Sequence, residues 1–209
     1  MSLGSGNLLL ASADDDTGYN LTRSLRFRAS ASAYLNRTPA SAGNLLTWTW
    51  SGWVKLGSLA NGQCLLSAGT STSNVNQFYF DLSTNQFVYF NYYSGAYQFN
   101  VNSTAVYRDP SAWYHVVFVL DTTQATSTNR AKLYVNGSQV TLNAGTGGFG
   151  VQNQSSIINN TVAHNIGRYV TFTNYFDGYL TEINFIDGQA LTPSSFGSTN
   201  ALTGVWQPA

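Results

Sequence analysis

The stretch Thr47-Trp48-Thr49-Trp50-Ser51-Gly52-Trp53-Val54-Lys55 constrains the fold more than any other part of the chain. Successive side chains of a strand point to opposite faces, so Trp48, Trp50, Gly52 and Val54 share one face and Trp53 lies on the other. A strand with large apolar groups on one face needs a second layer to cover it, which points to two packed sheets. The period of two recurs along the chain. Gln77 to Leu82 and Gln86 to Phe90 read as aromatic strands joined by a short hairpin at Ser83-Thr84-Asn85. Trp113 to Leu120 is apolar on both faces, as in a central strand covered on both sides. Asn136-Gly137 between Lys132–Val135 and Ser138–Thr141 predicts a type I′ hairpin. Arg23 to Arg28, Ala33 to Leu35, Asn165 to Tyr169 and Gly178 to Ile186 read as further strands. Thr192 to Gly197 reads as one helical turn, capped by Thr192 with Pro193 in first position. No amphipathic helix of ten or more residues is present. Roughly ten to fourteen short strands imply an all-β antiparallel sandwich over residues 23–196.

Residues 1–22 differ in pattern and are read as an N-terminal arm. Its Leu8, Leu9 and Leu10 are costly to leave in water, so the arm is expected to dock on its own domain or on a neighbour. Residues 197–209 are read as a C-terminal tail. Nine basic and nine acidic residues cancel, and such neutral chains tend to associate, so a homo-oligomer or larger assembly is expected. The same balance lacks the basic field that nucleic acid needs. Arg23, Arg26 and Arg28, interleaved with Leu25 and Phe27, are read as a solvated strand face or subunit contact. No apolar run approaches the ~20 residues of a spanning helix, so no membrane partner is expected. The opening Met-Ser-Leu-Gly-Ser-Gly lacks the basic start of a secretory signal.

Three blocks in order resemble the laminin-G-like/concanavalin A-like jelly roll shared by lectins, pentraxins and some glucanases. They are Trp48–Lys55, then Trp113–Asp121 with Lys132–Gly137, then Ile166–Tyr169 with Asp177–Phe196. The wording of Ser24–Phe27, Ala33–Asn44, Tyr175–Gly197 and Thr203–Pro208 is similar to members of this family from tailed bacteriophages. The resemblance implies a virion protein made in the host cytoplasm: a capsid-decorating or tail-associated jelly roll with other virion proteins as partners. The alternative is a carbohydrate-binding adhesin or fibre tip that recognises a bacterial surface glycan.

A third reading, a glycan hydrolase, is disfavoured. The family's glucanases carry E-x-D-x-x-E, whereas this chain reads Glu182-Ile183-Asn184-Phe185-Ile186-Asp187. Asn184 replaces the middle carboxylate, and the odd spacing puts Glu182 and Asp187 on opposite faces unless a bulge intervenes. His115 is read as a structural sheet histidine and Cys64 as a small buried hydrophobe. The glycine-rich run Gly145 to Gly150 is read as a flexible loop.

Relatives commonly hold one Ca²⁺ at the sandwich rim, and Asp121 and Asp177 are the candidate ligands; no cofactor is required. Sugar stacking needs aromatic faces beside amides and hydroxyls. The candidate glycan site is Tyr89, Asn91, Tyr92, Tyr93 and Tyr97, with Tyr169 to Tyr175 as a second segment of similar chemistry.

Overall fold

A computed structural model describes residues 21–58, 63–170 and 174–209, so the docking arm with Leu8, Leu9 and Leu10 lies outside the described residues. In chain order the strands are β1 (Leu25–Phe27), β2 (Leu35–Arg37), β3 (Thr47–Leu56), β4 (Gln63–Ser71) and β5 (Asn74–Asp81). Next come β6 (Gln86–Tyr93), β7 (Ala96–Ser103), β8 (Tyr114–Asp121), β9 (Ala131–Val135) and β10 (Ser138–Val140). The last are β11 (Leu142–Ala144), β12 (Ala163–Ile166), β13 (Gly178–Asp187), β14 (Gly197–Thr199) and β15 (Trp206–Pro208). Six strands make one antiparallel sheet, ordered β1-β13-β3-β8-β9-β10. Seven make the other, ordered β11-β7-β6-β5-β4-β12-β2. β14 and β15 form a separate ribbon.

The two sheets press their aromatic faces together, as the tryptophan alternation requires. Trp48, Trp50 and Val54 are 0–1% exposed. Trp48 meets Tyr89 at 5.8 Å between ring centroids, Trp50 meets Phe78 at 5.4 Å, and Phe118 meets Phe78 at 4.9 Å. Each contact crosses from the first sheet to the second. Burying a side chain of this size is worth roughly 2–3 kcal/mol, so this seam holds the sandwich shut. β8 sits inside its sheet and is buried on both faces, as its sequence implied. The arginine strand β1 is an edge, with Arg26 exposed and Phe27 buried under Gly167.

The outer face of β3 is covered as well: Thr49, Ser51 and Trp53 are buried. The cover is the chain after β13. Thr49 Oγ1 donates to the Gln189 carbonyl at 2.7 Å and accepts from Leu191 N–H at 2.9 Å. A 3₁₀ turn at Pro193–Ser195 follows; Thr192 precedes it in extended conformation without a side-chain cap bond to the backbone. The β14–β15 ribbon then lays Trp206 over His115. The segment read as a tail thus packs on the sheet.

Local geometry follows the residues. Asn136 and Gly137 have φ of 50° and 78°, the left-handed pair of the expected hairpin. A side chain at Gly137 would strike the Trp206 ring, so glycine is required twice over there. Two expected strands shift. The one at Ala33–Leu35 is Leu35–Arg37, and the one at Asn165–Tyr169 is Ala163–Ile166, ended by Gly167 at φ 82°. In β13, Thr181 pairs with Trp53 but Asn184 pairs with Ser51, so one extra residue bulges out at Glu182, whose φ is 50°.

Candidate functional site

Alternation divides the expected glycan segment between the two faces of β6. Tyr89 is 1% exposed and faces inward, against Trp48, Phe99 and Phe118. Its hydroxyl accepts from Asn76 Nδ2 at 2.8 Å. Asn91 also faces inward; it is 2% exposed and donates to the Ser155 carbonyl at 2.9 Å. Both are therefore corrected to core residues. Tyr92, Tyr93 and Tyr97 remain at the surface, with Tyr93 and Tyr97 exposed. Tyr92 is half-buried, its hydroxyl donating to the Gly95 carbonyl at 2.8 Å.

The outer face of the seven-stranded sheet supplies what the sequence reading missed. Cross-strand register aligns Gln77 with Phe90 and Asn100, and Tyr79 with Val88 and Asn102. Val75, Tyr92 and Tyr97 form the next row. The rings run in a line. Tyr169 is 5.7 Å from Tyr79, Tyr79 is 6.0 Å from Phe90, Phe90 is 5.5 Å from Tyr97, and Tyr97 is 4.8 Å from Tyr92. Amides flank the line. Asn102 Nδ2 donates to Gln86 Oε1 at 3.0 Å, while the buried Gln77 Nε2 has no partner among the described residues. Burial, aided by the charge of Asp81, pushes the Tyr79 phenol up, so it stays a hydrogen-bond donor at neutral pH. The glycine-rich run is held against this sheet: Gly145 N–H donates to Asn100 O at 2.9 Å and Asn100 N–H to Gly148 O at 2.7 Å. Every even residue of β6 contributes to this face, the signal that a reading by segment overlooked.

The opposite side of the molecule carries the polar groups nearest to catalytic types. His115 Nε2 lies 3.0 Å from Ser51 Oγ, and His115 Nδ1 lies 3.0 Å from the indole nitrogen of Trp206. Indole N–H only donates, so Nδ1 accepts and Nε2 carries the hydrogen. The ring therefore donates to Ser51 and has no lone pair left to activate it. Burial lowers the His115 pKa to about 4, keeping it neutral. Glu182 lines a cavity beside Ser51 and His115, whereas Asp187 lines another on the inner side of β13, so the two carboxylates do not face one site. Burial pushes the Cys64 thiol up, and its hydrogen goes to the Arg168 carbonyl at 3.1 Å.

The calcium candidates do not fit an ion. Asp121 pairs with Thr47 and Gly178 with Leu56, so Asp121 and Asp177 lie at opposite ends of β3, about 30 Å apart at strand rise. Asp121 is saturated by its own turn: Thr123 hydroxyl at 2.6 Å, Thr123 N–H at 3.2 Å, Gln124 Nε2 at 2.6 Å and Thr47 hydroxyl at 3.2 Å. The Asp177 carbonyl is taken by Gly57 N–H. Among the described residues no cluster of three or more His, Cys, Asp or Glu is placed to hold a metal.

A family model for the concanavalin A-like lectin/glucanases superfamily matches residues 27–195. The chain belongs to this superfamily. No curated protein matches the sequence. Among solved structures, domain 4 of AbnA, an extracellular arabinanase from Geobacillus stearothermophilus, in complex with arabinotriose, aligns at TM-score 0.53 and 17% identity. That match covers 74% of this chain and 65% of the arabinanase-domain chain, so the present chain spans just under two-thirds of it. The CBM40 of the Ruminococcus gnavus IT-sialidase aligns at 0.54 and 15% identity, covering 77% of this chain and 95% of that one. A heptameric SAP-like pentraxin from Limulus polyphemus aligns at 0.52 and 17%, covering 78% and 72%. At these identities the likeness is one of fold: the concanavalin A-like sandwich.

Proposed function

We propose that this concanavalin A-like domain is a non-catalytic carbohydrate-binding module whose ligand lies across the outer face of the seven-stranded sheet. One observation carries the reading: the line of rings from Tyr79 through Phe90 to Tyr97 and Tyr92, flanked by the half-buried Asn100 and Asn102. Ring faces pack the C–H face of a sugar, and amides supply both donors and acceptors to its hydroxyls. Two structural neighbours support this reading, the arabinanase domain in complex with arabinotriose and the CBM40 bound to α2,3-sialyllactose. A glycan array tests it. Binding to at least one polysaccharide, weakened tenfold or more in Tyr97→Ala and Phe90→Ala, is the expected result. Silence across the array, or affinity untouched by both substitutions, overturns it. Sugar release that Glu182→Gln abolishes would overturn the non-catalytic part.

The setting is proposed from the sequence wording alone: a virion component of a tailed bacteriophage, present in several copies on capsid or tail, that meets a bacterial surface glycan. Antibody labelling of purified particles is the test, and particles devoid of the protein would end this reading.

A further inference from the structure

The two sheets do not close along one edge. β1 covers β13 only at Gly178–Leu180, and beyond that Ile183, Phe185 and Asp187 face β2 and β12 across a cavity of about 430 Å³. It lies at the β2 edge of the seven-stranded sheet, four strands from β6, so it is separate from the ring-lined face. We propose that this cavity is a second binding site, for a small neutral amphipathic molecule with an apolar body and a hydroxylated end.

The apolar part of the wall is Trp50, Leu66, Ile166 and Ile183, with Leu35 and Phe185 exposed beside them. Trp50 is 1% exposed, and its indole N–H meets no acceptor among the described residues. The polar end is built by Asp187 and Asn159. Asp187 Oδ1 accepts from Asn44 N–H at 2.7 Å and from Asn159 Nδ2 at 2.6 Å. Asn159 Nδ2 also donates to the Asn44 carbonyl at 3.0 Å. His164 holds this group in place: its Nε2 accepts from Asn159 N–H at 2.8 Å, and its Nδ1 pairs with the Val162 carbonyl at 2.7 Å. Asp187 Oδ2 and Asn159 Oδ1 are left as acceptors with no donor among the described residues. Two free acceptors call for ligand hydroxyls, and Arg37 on the β2 wall offsets the Asp187 charge, so the lining as a whole suits a neutral molecule that brings its own donors. At roughly 20–30 Å³ per heavy atom, the volume takes a molecule of roughly 15 to 20 heavy atoms.

The probe is n-octyl β-D-glucoside, kept below its micellar concentration and titrated into ¹⁵N-labelled protein. Saturable shifts of the Trp50 indole N–H and the Ile183 amide are expected. They should persist in Tyr97→Ala and weaken at least tenfold in Leu35→Trp, which plugs the mouth from an exposed strand position. Octyl sulfate should bind at least tenfold more weakly than the glucoside. The proposal is overturned if Trp50 does not shift, if Leu35→Trp leaves affinity within twofold, or if Tyr97→Ala removes the response. Polysaccharide binding by Leu35→Trp should equal wild type, so failure here and failure of the glycan-face reading are told apart.

Discussion

The indole of Trp206 lies nearly parallel to the His115 ring, with centroids 5.7 Å apart at 23°, and donates its N–H to Nδ1 of that ring at 3.0 Å. A residue of the last strand thereby sets the protonation pattern of one at the centre of the first sheet. A proton added to His115 would set Nδ1–H against the indole N–H and cost the bond.

Stability should therefore fall on mild acidification. The unfolded chain takes up a proton at His115 as pH drops through 6.5, whereas the folded protein does so only near 4. The contribution is complete above 6.5 and is lost progressively toward 4. About 3 kcal/mol is at stake for a shift of this size. His164, also lowered mainly by burial, acts in the same direction. Urea unfolding at pH 7.5 and 4.5 should show the drop, and His115→Gln should shrink it; identical midpoints for wild type would refute the account.

Gly137→Ala should destabilise by about 2–4 kcal/mol, since it combines a left-handed φ with overlap on the Trp206 ring. In a Trp206→Ala background the overlap is gone and about 1 kcal/mol of backbone strain remains. Thermal unfolding of the double-mutant cycle measures the coupling, and strict additivity would contradict the packing described.

Tyr89→Phe and Tyr97→Ala should separate cleanly. The first leaves one N–H of the buried Asn76 amide unpaired, the other still donating to the Phe90 carbonyl, and costs about 1–2 kcal/mol while leaving glycan affinity unchanged. The second removes an exposed ring, leaving stability within about 0.5 kcal/mol and reducing affinity. Denaturation curves beside a binding titration decide between this division and its reverse.

Because Asp121 is consumed by its turn, adding Ca²⁺ or a chelator should leave the melting temperature unchanged. Asp121→Ala should cost about 1–3 kcal/mol through the loss of contacts to Thr47, Thr123 and Gln124. Calorimetry that finds a calcium-dependent rise would reverse this assignment.

Much of the sandwich is written in local pattern. The Asn136-Gly137 corner, the doubly apolar β8 and the tryptophan alternation of β3 each announce their place, because backbone conformation and burial act on neighbouring residues there. The candidate site was legible only in part. Aromatic richness marked β6, but the side that Tyr89 or Phe90 faces depends on its register with β5 and β7, which no single strand encodes. The extra residue Gln98 of β7, opposite Asn91 and Tyr92, shifts that register again. Trp206 stands alone in a short segment without periodicity, so its role over His115 appears only once the chain has folded back. The cavity beside Asp187 is a property of where two sheets fail to meet, and it depends on strands far apart in sequence.

The covering of the first sheet gives the molecule a front and a back. β14, β15 and Ala209 sit behind that sheet, while Phe90, Tyr92 and Tyr97 look out from the far side of the other. Protein tethered to a sensor chip through a tag after Ala209 will therefore present its rings to the flowing analyte. Coupling through a thiol introduced by Ser94→Cys, in the β6–β7 turn, would bury them against the support.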